Sequence, residues 1–231
     1  MRIIKFLILL SLFVACERDE KLILPKAESQ AKIEVQGEAT LPTKVESSDS
    51  TQKAIGAYEH PRVKISTSKG DMVAELYEDK APNTVANFVT LVESGFYKDM
   101  NFHRVIKGFM AQGGCPHSRS GTDSGQPGTG GPGYSINNEM HPQLLHNQRG
   151  ILSMANSGPN TNGSQFFILF KESKFLNGGY SVYGRVIEGL NVLDKIETIG
   201  ARRDGLPLQE QVTFSITLIQ KNDHPYKVIK N

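Results

Sequence analysis

The chain has 231 residues, with apolar types at 38% and 22 glycines, an ordinary globular composition that can bury a substantial core. Lys and Arg number 26 against 24 Asp and Glu, a net charge of +2 with no basic stripe, so nucleic acid is excluded as a main partner. The two cysteines, Cys16 and Cys115, are too few for a disulfide framework or a Cys-rich zinc site.

Arg2 and Lys5 precede the run Phe6 to Ala15, which is apolar except for Ser11. It is far short of the roughly 20 residues that span a bilayer, and reads as a secretory signal covering residues 1–15. It ends Leu12-Phe13-Val14-Ala15-Cys16. A small residue before a cysteine resembles a bacterial lipoprotein signal, in which the cysteine is acylated and becomes the mature N-terminus. Phe13 departs from the usual Leu at that place. Cleavage removes Arg2 and Lys5 and leaves no net charge, so membrane attachment is expected through a lipid on Cys16 rather than through electrostatics. The expected location is the bacterial cell envelope, facing the periplasm or the exterior.

Residues 16–57 then carry mostly Glu, Lys, Ser, Thr and Gln, with no aromatic residue. Such a segment cannot offset its own ordering entropy and is expected to be a tether, with a coil dimension of roughly 35 Å. An extra strand near Ala31 to Val35 is the weaker alternative. The globular domain is expected over 58–231, as a monomer.

Within that domain, Arg62 to Thr67 and Asp71 to Tyr77 alternate around Ser68-Lys69-Gly70, which predicts a hairpin. Pro82 opens a helix whose stripe is Val85, Phe88, Val89 and Val92, and Gly95 closes it. Strand-like runs follow at Asn101 to Ile106, Phe109 to Gln112, Ile151 to Ala155, Gln165 to Phe170, Ser181 to Ile187 and Val212 to Ile219. Leu190, Leu193 and Ile196 predict a second short helix. Many short strands with two helices argue for a mainly β domain, an antiparallel sandwich or closed barrel, and against alternating βαβ units.

Between Gly113 and Gly133 lie eight glycines and three prolines, a connection of the length that usually carries function or is disordered. Its Gly128-Thr129-Gly130-Gly131-Pro132-Gly133 has the letters of a dinucleotide fingerprint. No buried strand leads in and no amphipathic helix follows, so a nucleotide cofactor is not expected. Cys115, His117, His103, His141, His146 and Glu139 lack regular ligand spacing, and no metal is expected. Ser164 has no assignable base, which leaves hydrolysis unsupported.

Two segments are informative: Phe102-His103-Arg104-Val105-Ile106-Lys107-Gly108-Phe109-Met110-Ala111-Gln112-Gly113-Gly114, and the run from Leu152 to Phe167 that contains Met154-Ala155-Asn156 and Gly163-Ser164-Gln165-Phe166-Phe167. Together with Gly128 to Gly131 and Tyr183-Gly184-Arg185-Val186 they resemble the cyclophilin family of peptidyl-prolyl isomerases, over roughly Val63 to Gln220. The resemblance implies a closed eight-stranded antiparallel β-barrel capped by two α-helices, with the substrate groove on its outer face, and no cofactor. Arg104 matches the family's catalytic arginine, and Gln112 the polar partner beside it. Phe109, Met110, Phe167 and Leu176 match the pocket that takes the substrate proline ring. Ala155 and Asn156 match the strip whose backbone holds the substrate, while Thr129 and Gln165 match the edge of a neighbouring pocket. Phe175 stands where many eukaryotic members have Trp, and Tyr180 where they have His, both as in bacterial relatives; without an indole N–H, weaker binding of the inhibitor cyclosporin is implied. Phe88, Val92, Phe102 and Phe166 are left to the core.

An enzyme of this kind acts on proline-containing, unfolded or flexible polypeptides. The competing function class is a membrane-tethered binder or holding chaperone for the same peptides, without significant catalysis.

Overall fold

The computed structural model describes residues 59–121, 125–201 and 208–231. The signal at 1–15, Cys16, the tether, the strand near Ala31 and the boundary at Tyr58 lie outside the described residues.

The predicted hairpin is present as β1 (Arg62–Thr67) and β2 (Gly70–Leu76), with Gly70 at φ +129°, a conformation open to glycine. Helix α1 (Pro82–Glu93) opens on its proline and buries Val85, Phe88, Val89 and Val92. Its first turn has no local side-chain cap; the Glu139 carboxylate arrives from a distant loop instead. That carboxylate accepts the Asn83 N–H at 3.0 Å and, at 2.6 Å each, the Thr84 N–H and hydroxyl. Orphan amides and the positive end of the helix dipole thus meet one negative charge.

Seven further strands follow: β3 (Met100–Asn101), β4 (Arg104–Ile106), β5 (Met110–Gly113), β6 (Ile151–Met154), β7 (Phe166–Leu169), β8 (Val182–Glu188) and β9 (Thr213–Gln220). A second helix, α2, spans Leu190–Thr198. The nine strands form one antiparallel sheet in the order β3-β9-β1-β2-β8-β6-β7-β5-β4.

This corrects the closed eight-stranded barrel. The sheet is an open, curled one, because its two end strands, β3 and β4, do not pair with each other. They are consecutive in the chain, and only Phe102 and His103 separate them. The single strand expected over Asn101 to Ile106 is interrupted there, and the interruption turns Phe102 into the core, 1% exposed, while Arg104 leaves it. Strict alternation would have put both on one face.

Register sorts the rest. Val105, Ala111, Ile168 and Leu152 stand opposite one another across β4, β5, β7 and β6, and all belong to the main core. Both helices pack on this inner face, with Phe88, Val89, Val192, Leu193 and Ile196 joining Phe166, Tyr183 and Phe214. Phe88 lies between Tyr97, Tyr183 and Phe166, at ring separations of 5.0, 5.0 and 5.8 Å. Burying each such side chain contributes about 1.5–3 kcal/mol. Phe88, Val92, Phe102 and Phe166 are core residues, as expected.

Candidate active site

One residue along from the inner row, the same strands carry an outer row: Arg104, Gln112, Phe167 and Ser153, each directly across from the next. A second outer row holds Ile106, Met110 and Leu169. A period of two places these side chains on the face away from the core. There Met110, Ile151, Phe167, Leu169, Leu176 and Val182 form an apolar cluster distinct from the main one, with Phe109, Ala155 and Tyr180 packed against it. The sheet is therefore apolar on both sides in this sector. Met110, Phe167 and Leu176 of this outer cluster line a cavity of about 850 Å³.

Arg104, Gln112, Phe109, Met110, Ala155, Asn156, Phe167, Phe175, Leu176 and Tyr180 all line that cavity. Tyr180 meets Phe167 edge-on at 5.7 Å, and Phe175, 76% exposed on the rim, lies 5.5 Å from Phe109. Leu176 and Phe175 are presented by a one-turn 3₁₀ helix, Lys174–Leu176.

Thr129 and Gln165 line a neighbouring cavity of about 420 Å³, which shares Gln112, Gly128, Ala155 and Asn156 with the first. All twelve groove residues read from the sequence therefore fall in two adjoining hollows.

A relay of hydrogen bonds crosses the boundary between them. Arg104 Nη1 donates to Gln112 Oε1 at 3.0 Å, and Gln112 Nε2 donates to Gln165 Oε1 at 3.0 Å. Gln165 Nε2 then donates to the Gly128 and Gly130 carbonyls at 2.8 and 2.9 Å. The guanidinium is held in one place, and the glycine-rich connection is fastened to the sheet as a wall. From the other side the buried Cys115 Sγ accepts the Gly128 and Gly130 N–H groups at 3.1 and 3.3 Å. The Asn156 side chain is committed to the Gly179 carbonyl, at 2.9 Å.

The cavity also takes residues that sequence reasoning missed, among them His103, Ile106, Gln126, Pro127 and Ala201. His103 adjoins Arg104 in the motif and could have been found by that adjacency. Ala201 carries no signal of its own; it arrives through a parallel bridge to Ile106. Burial, and secondly the Arg104 guanidinium, push the His103 imidazole down to about 4, so it is neutral at physiological pH and leaves Arg104 as the fixed positive charge of the pair.

Among the described residues no three His, Cys, Asp or Glu side chains converge on a metal position. Ser164 Oγ is buried and donates to the Gly114 carbonyl at 2.7 Å, which makes it a structural hydroxyl. What remains is an apolar hollow with one fixed guanidinium at its edge. Such a site can hold a compact apolar ring and interact with the polar backbone beside it, without covalent chemistry.

The outer face of this curled antiparallel sheet thus carries an apolar hollow with a guanidinium at its edge. The family model for cyclophilin-type peptidyl-prolyl cis-trans isomerases matches residues 62–218, and the chain belongs to that family, whose activity is prolyl isomerisation. A peptidyl-prolyl cis-trans isomerase of Arabidopsis thaliana is 47% identical over 148 residues, covering 64% of this chain and 89% of the relative. One from Helicobacter pylori is 49% identical over 135 residues, covering 58% and 78%. The crystal structure of a cyclophilin-type isomerase from Cryptosporidium parvum superposes with a TM-score of 0.63 at 35% identity, covering 71% of this chain and all of that one. A second structure of that protein was determined in the presence of the dipeptide Ala-Pro; its TM-score is 0.62 at 36% identity, with 69% and 99% covered.

Proposed function

We propose that this isomerase accelerates rotation about X-Pro bonds by seating the pyrrolidine ring among Phe109, Met110, Phe167 and Leu176 while Arg104 stabilises the twisted amide. The barrier to be lowered, about 18–20 kcal/mol, comes from amide resonance. As the bond twists, resonance is lost and the imide nitrogen regains a lone pair. A guanidinium donor at that nitrogen gains strength only in the twisted state, which is differential stabilisation. Arginine suits this because it stays protonated and offers its donors in a rigid plane. The apolar walls hold the ring still and keep out water that would compete for the same donor.

The observation that carries the reading is the 3.0 Å bond that fixes Arg104 through Gln112 at the edge of the apolar hollow. That a relative's structure was determined in the presence of the dipeptide Ala-Pro is in keeping with a proline-containing peptide as ligand. The experiment is a prolyl-isomerisation assay on residues 58–231, with and without Arg104. Peptide binding without acceleration by the unaltered protein would identify a binding module instead.

The proposed setting is the cell envelope, with a lipid on Cys16 as the anchor and exported polypeptides as substrates. The apolar run to Ala15 and the charged residues directly after Cys16 support it. Two acyl chains on one cysteine suffice for stable anchoring. Cys16→Ser is expected to release or misprocess the protein, whereas a chain starting at Tyr58 is expected to be soluble and fully active on short peptides. Membrane fractionation of that shortened chain, or loss of its peptide activity, would overturn either the anchor or the domain boundary.

A further inference from the structure

His146 lies fully buried behind the wall of the proline pocket and is not part of the cavity lining. Its ring stacks on Phe167, with centroids 6.0 Å apart and planes at 17°. Its backbone is tied to the turn that carries Phe175 and Leu176: the Ser173 N–H donates to the His146 carbonyl at 2.8 Å, and the His146 N–H donates to Asn177 Oδ1 at 2.9 Å.

That last bond fixes the protonation of the ring. A backbone N–H only donates, so the amide atom it meets is the oxygen. His146 Nδ1 lies 2.9 Å from the same oxygen and must itself carry a proton. In the neutral imidazole Nε2 is then an acceptor, and the Ser153 hydroxyl, 3.0 Å away, donates to it. Burial holds the pKa of this ring below its ordinary value, in keeping with the neutral form. The Ser–His–Asn sequence of contacts has the outline of a nucleophile, base and orienter. Ser153 and His146 are both fully buried, so no substrate reaches the hydroxyl and the arrangement serves geometry.

We infer that His146 is a positioning residue that locks Phe167 and the Ser173–Asn177 turn into one rigid wall of the proline pocket. The inference rests on the proposed reading of that pocket. Ser153 sits directly across from Phe167 in the β6–β7 ladder, so the hydrogen bond to Nε2 and the ring stack hold the same point of the sheet. Asn177 closes the other end. Without the link, the sheet and the turn would move independently and the hollow would lose its fit to a five-membered ring.

A wall that contacts the proline before and during rotation contributes equally to ground and transition states, so its loosening raises KM and spares kcat. Partial unfolding does the opposite: fewer active molecules lower apparent kcat at unchanged KM. In the full-length protein, with a short Ala-Pro peptide as probe, the exposed Asn177 is the first target. Asn177→Ala is expected to raise KM about five- to tenfold, the effect of one well-placed hydrogen bond, and Asn177→Asp, which keeps the acceptor oxygen, to restore it. His146→Phe, which keeps a ring but no polar link, is expected to raise KM likewise. Nitrogen-15 spectra of the imidazole should show a neutral ring protonated at Nδ1.

An unchanged KM in Asn177→Ala, a loss confined to kcat, or a ring protonated at Nε2 would overturn the inference. If the unaltered protein proved inactive, the functional reading would fall instead. Peptide affinities of the same variants, and the imidazole spectrum, would still decide whether His146 positions the wall.

Discussion

Arg104 and Gln112 face each other across the β4–β5 ladder, and the ladder makes them partners: one register position brings Nη1 within 3.0 Å of Oε1. A flexible cation thereby becomes a fixed donor, because its position is set by backbone pairing and a planar amide. Gln112 is in turn held by Gln165, so the orientation of the guanidinium traces back to the glycine-rich connection at Gly128 and Gly130, which lies outside both strands.

Arg104→Ala is expected to lower kcat/KM by about 10²- to 10³-fold while the fold survives, by analogy with removal of one transition-state donor. Arg104→Lys should recover little, since an ammonium cannot keep both the Gln112 contact and a planar approach to the imide nitrogen. Exchange spectroscopy on an Ala-Pro peptide measures both. Full activity in either variant would remove the guanidinium from the mechanism.

Gln165→Glu exchanges the Nε2 donor for a carboxylate oxygen that faces the Gly128 and Gly130 carbonyls. Repulsion should free the glycine-rich connection from the sheet and lower kcat/KM about tenfold. Hydrogen exchange at the Gly128 and Gly130 amides should accelerate at the same time. Retained protection with retained activity would show that the loop is held by other means.

The His103 imidazole titrates near 6.5 when unfolded and at about 4 when folded, so between these values the folded chain binds fewer protons. Its contribution to stability is therefore complete above about pH 6.5 and is lost as pH falls toward 4, a change of about 3 kcal/mol. His146, lowered by burial, acts in the same direction. His103→Gln is expected to flatten the acid side of a stability profile measured by urea unfolding. An unchanged slope between pH 6.5 and 4 would assign the acid sensitivity to other groups.

Gly114 combines a φ of +84° with a close approach: a Cβ there would lie 2.3 Å from the Ser164 carbonyl oxygen, which also accepts the Tyr97 hydroxyl at 2.8 Å. Gly114→Ala is expected to cost about 2–4 kcal/mol, read as a shift of the denaturation midpoint. A loss under about 1 kcal/mol would mean that the loop can yield without disturbing the core.

Some of this was plain in the sequence and some was not, for physical reasons. The α1 stripe was legible from the spacing of Val85, Phe88, Val89 and Val92, although burial extends beyond it to Thr84, Ala86, Asn87 and Leu91. Arg104 and the pocket residues were legible through resemblance, since the residues of the two informative segments keep their order. The face each residue takes was not legible in β6 and β7, whose Ile-Leu-Ser-Met and Phe-Phe-Ile-Leu are buried on both sides and carry no polar alternation. The break at Phe102 and His103 was hidden because both residues suit a strand. The anchoring of Gly128 and Gly130 was hidden because the acceptors are main-chain carbonyls, which every sequence supplies.

The order of strands also governs how such a molecule comes into being. Among the described strands, β1, the first made, lies between β2 and β9, the last, and β3 has β9 as its sole partner in the sheet. A polypeptide synthesised from its N-terminus can form the β1–β2 hairpin early, but the inner face stays uncovered along one margin until Thr213–Gln220 arrives. Contacts so distant along the chain favour slow, concerted assembly over stepwise growth. Until then β1 offers an unpaired backbone edge of the kind that recruits strands from other molecules. A prolyl isomerase of this topology thus passes through a vulnerable interval of its own, and truncation before Thr213 should yield aggregates rather than a smaller working enzyme.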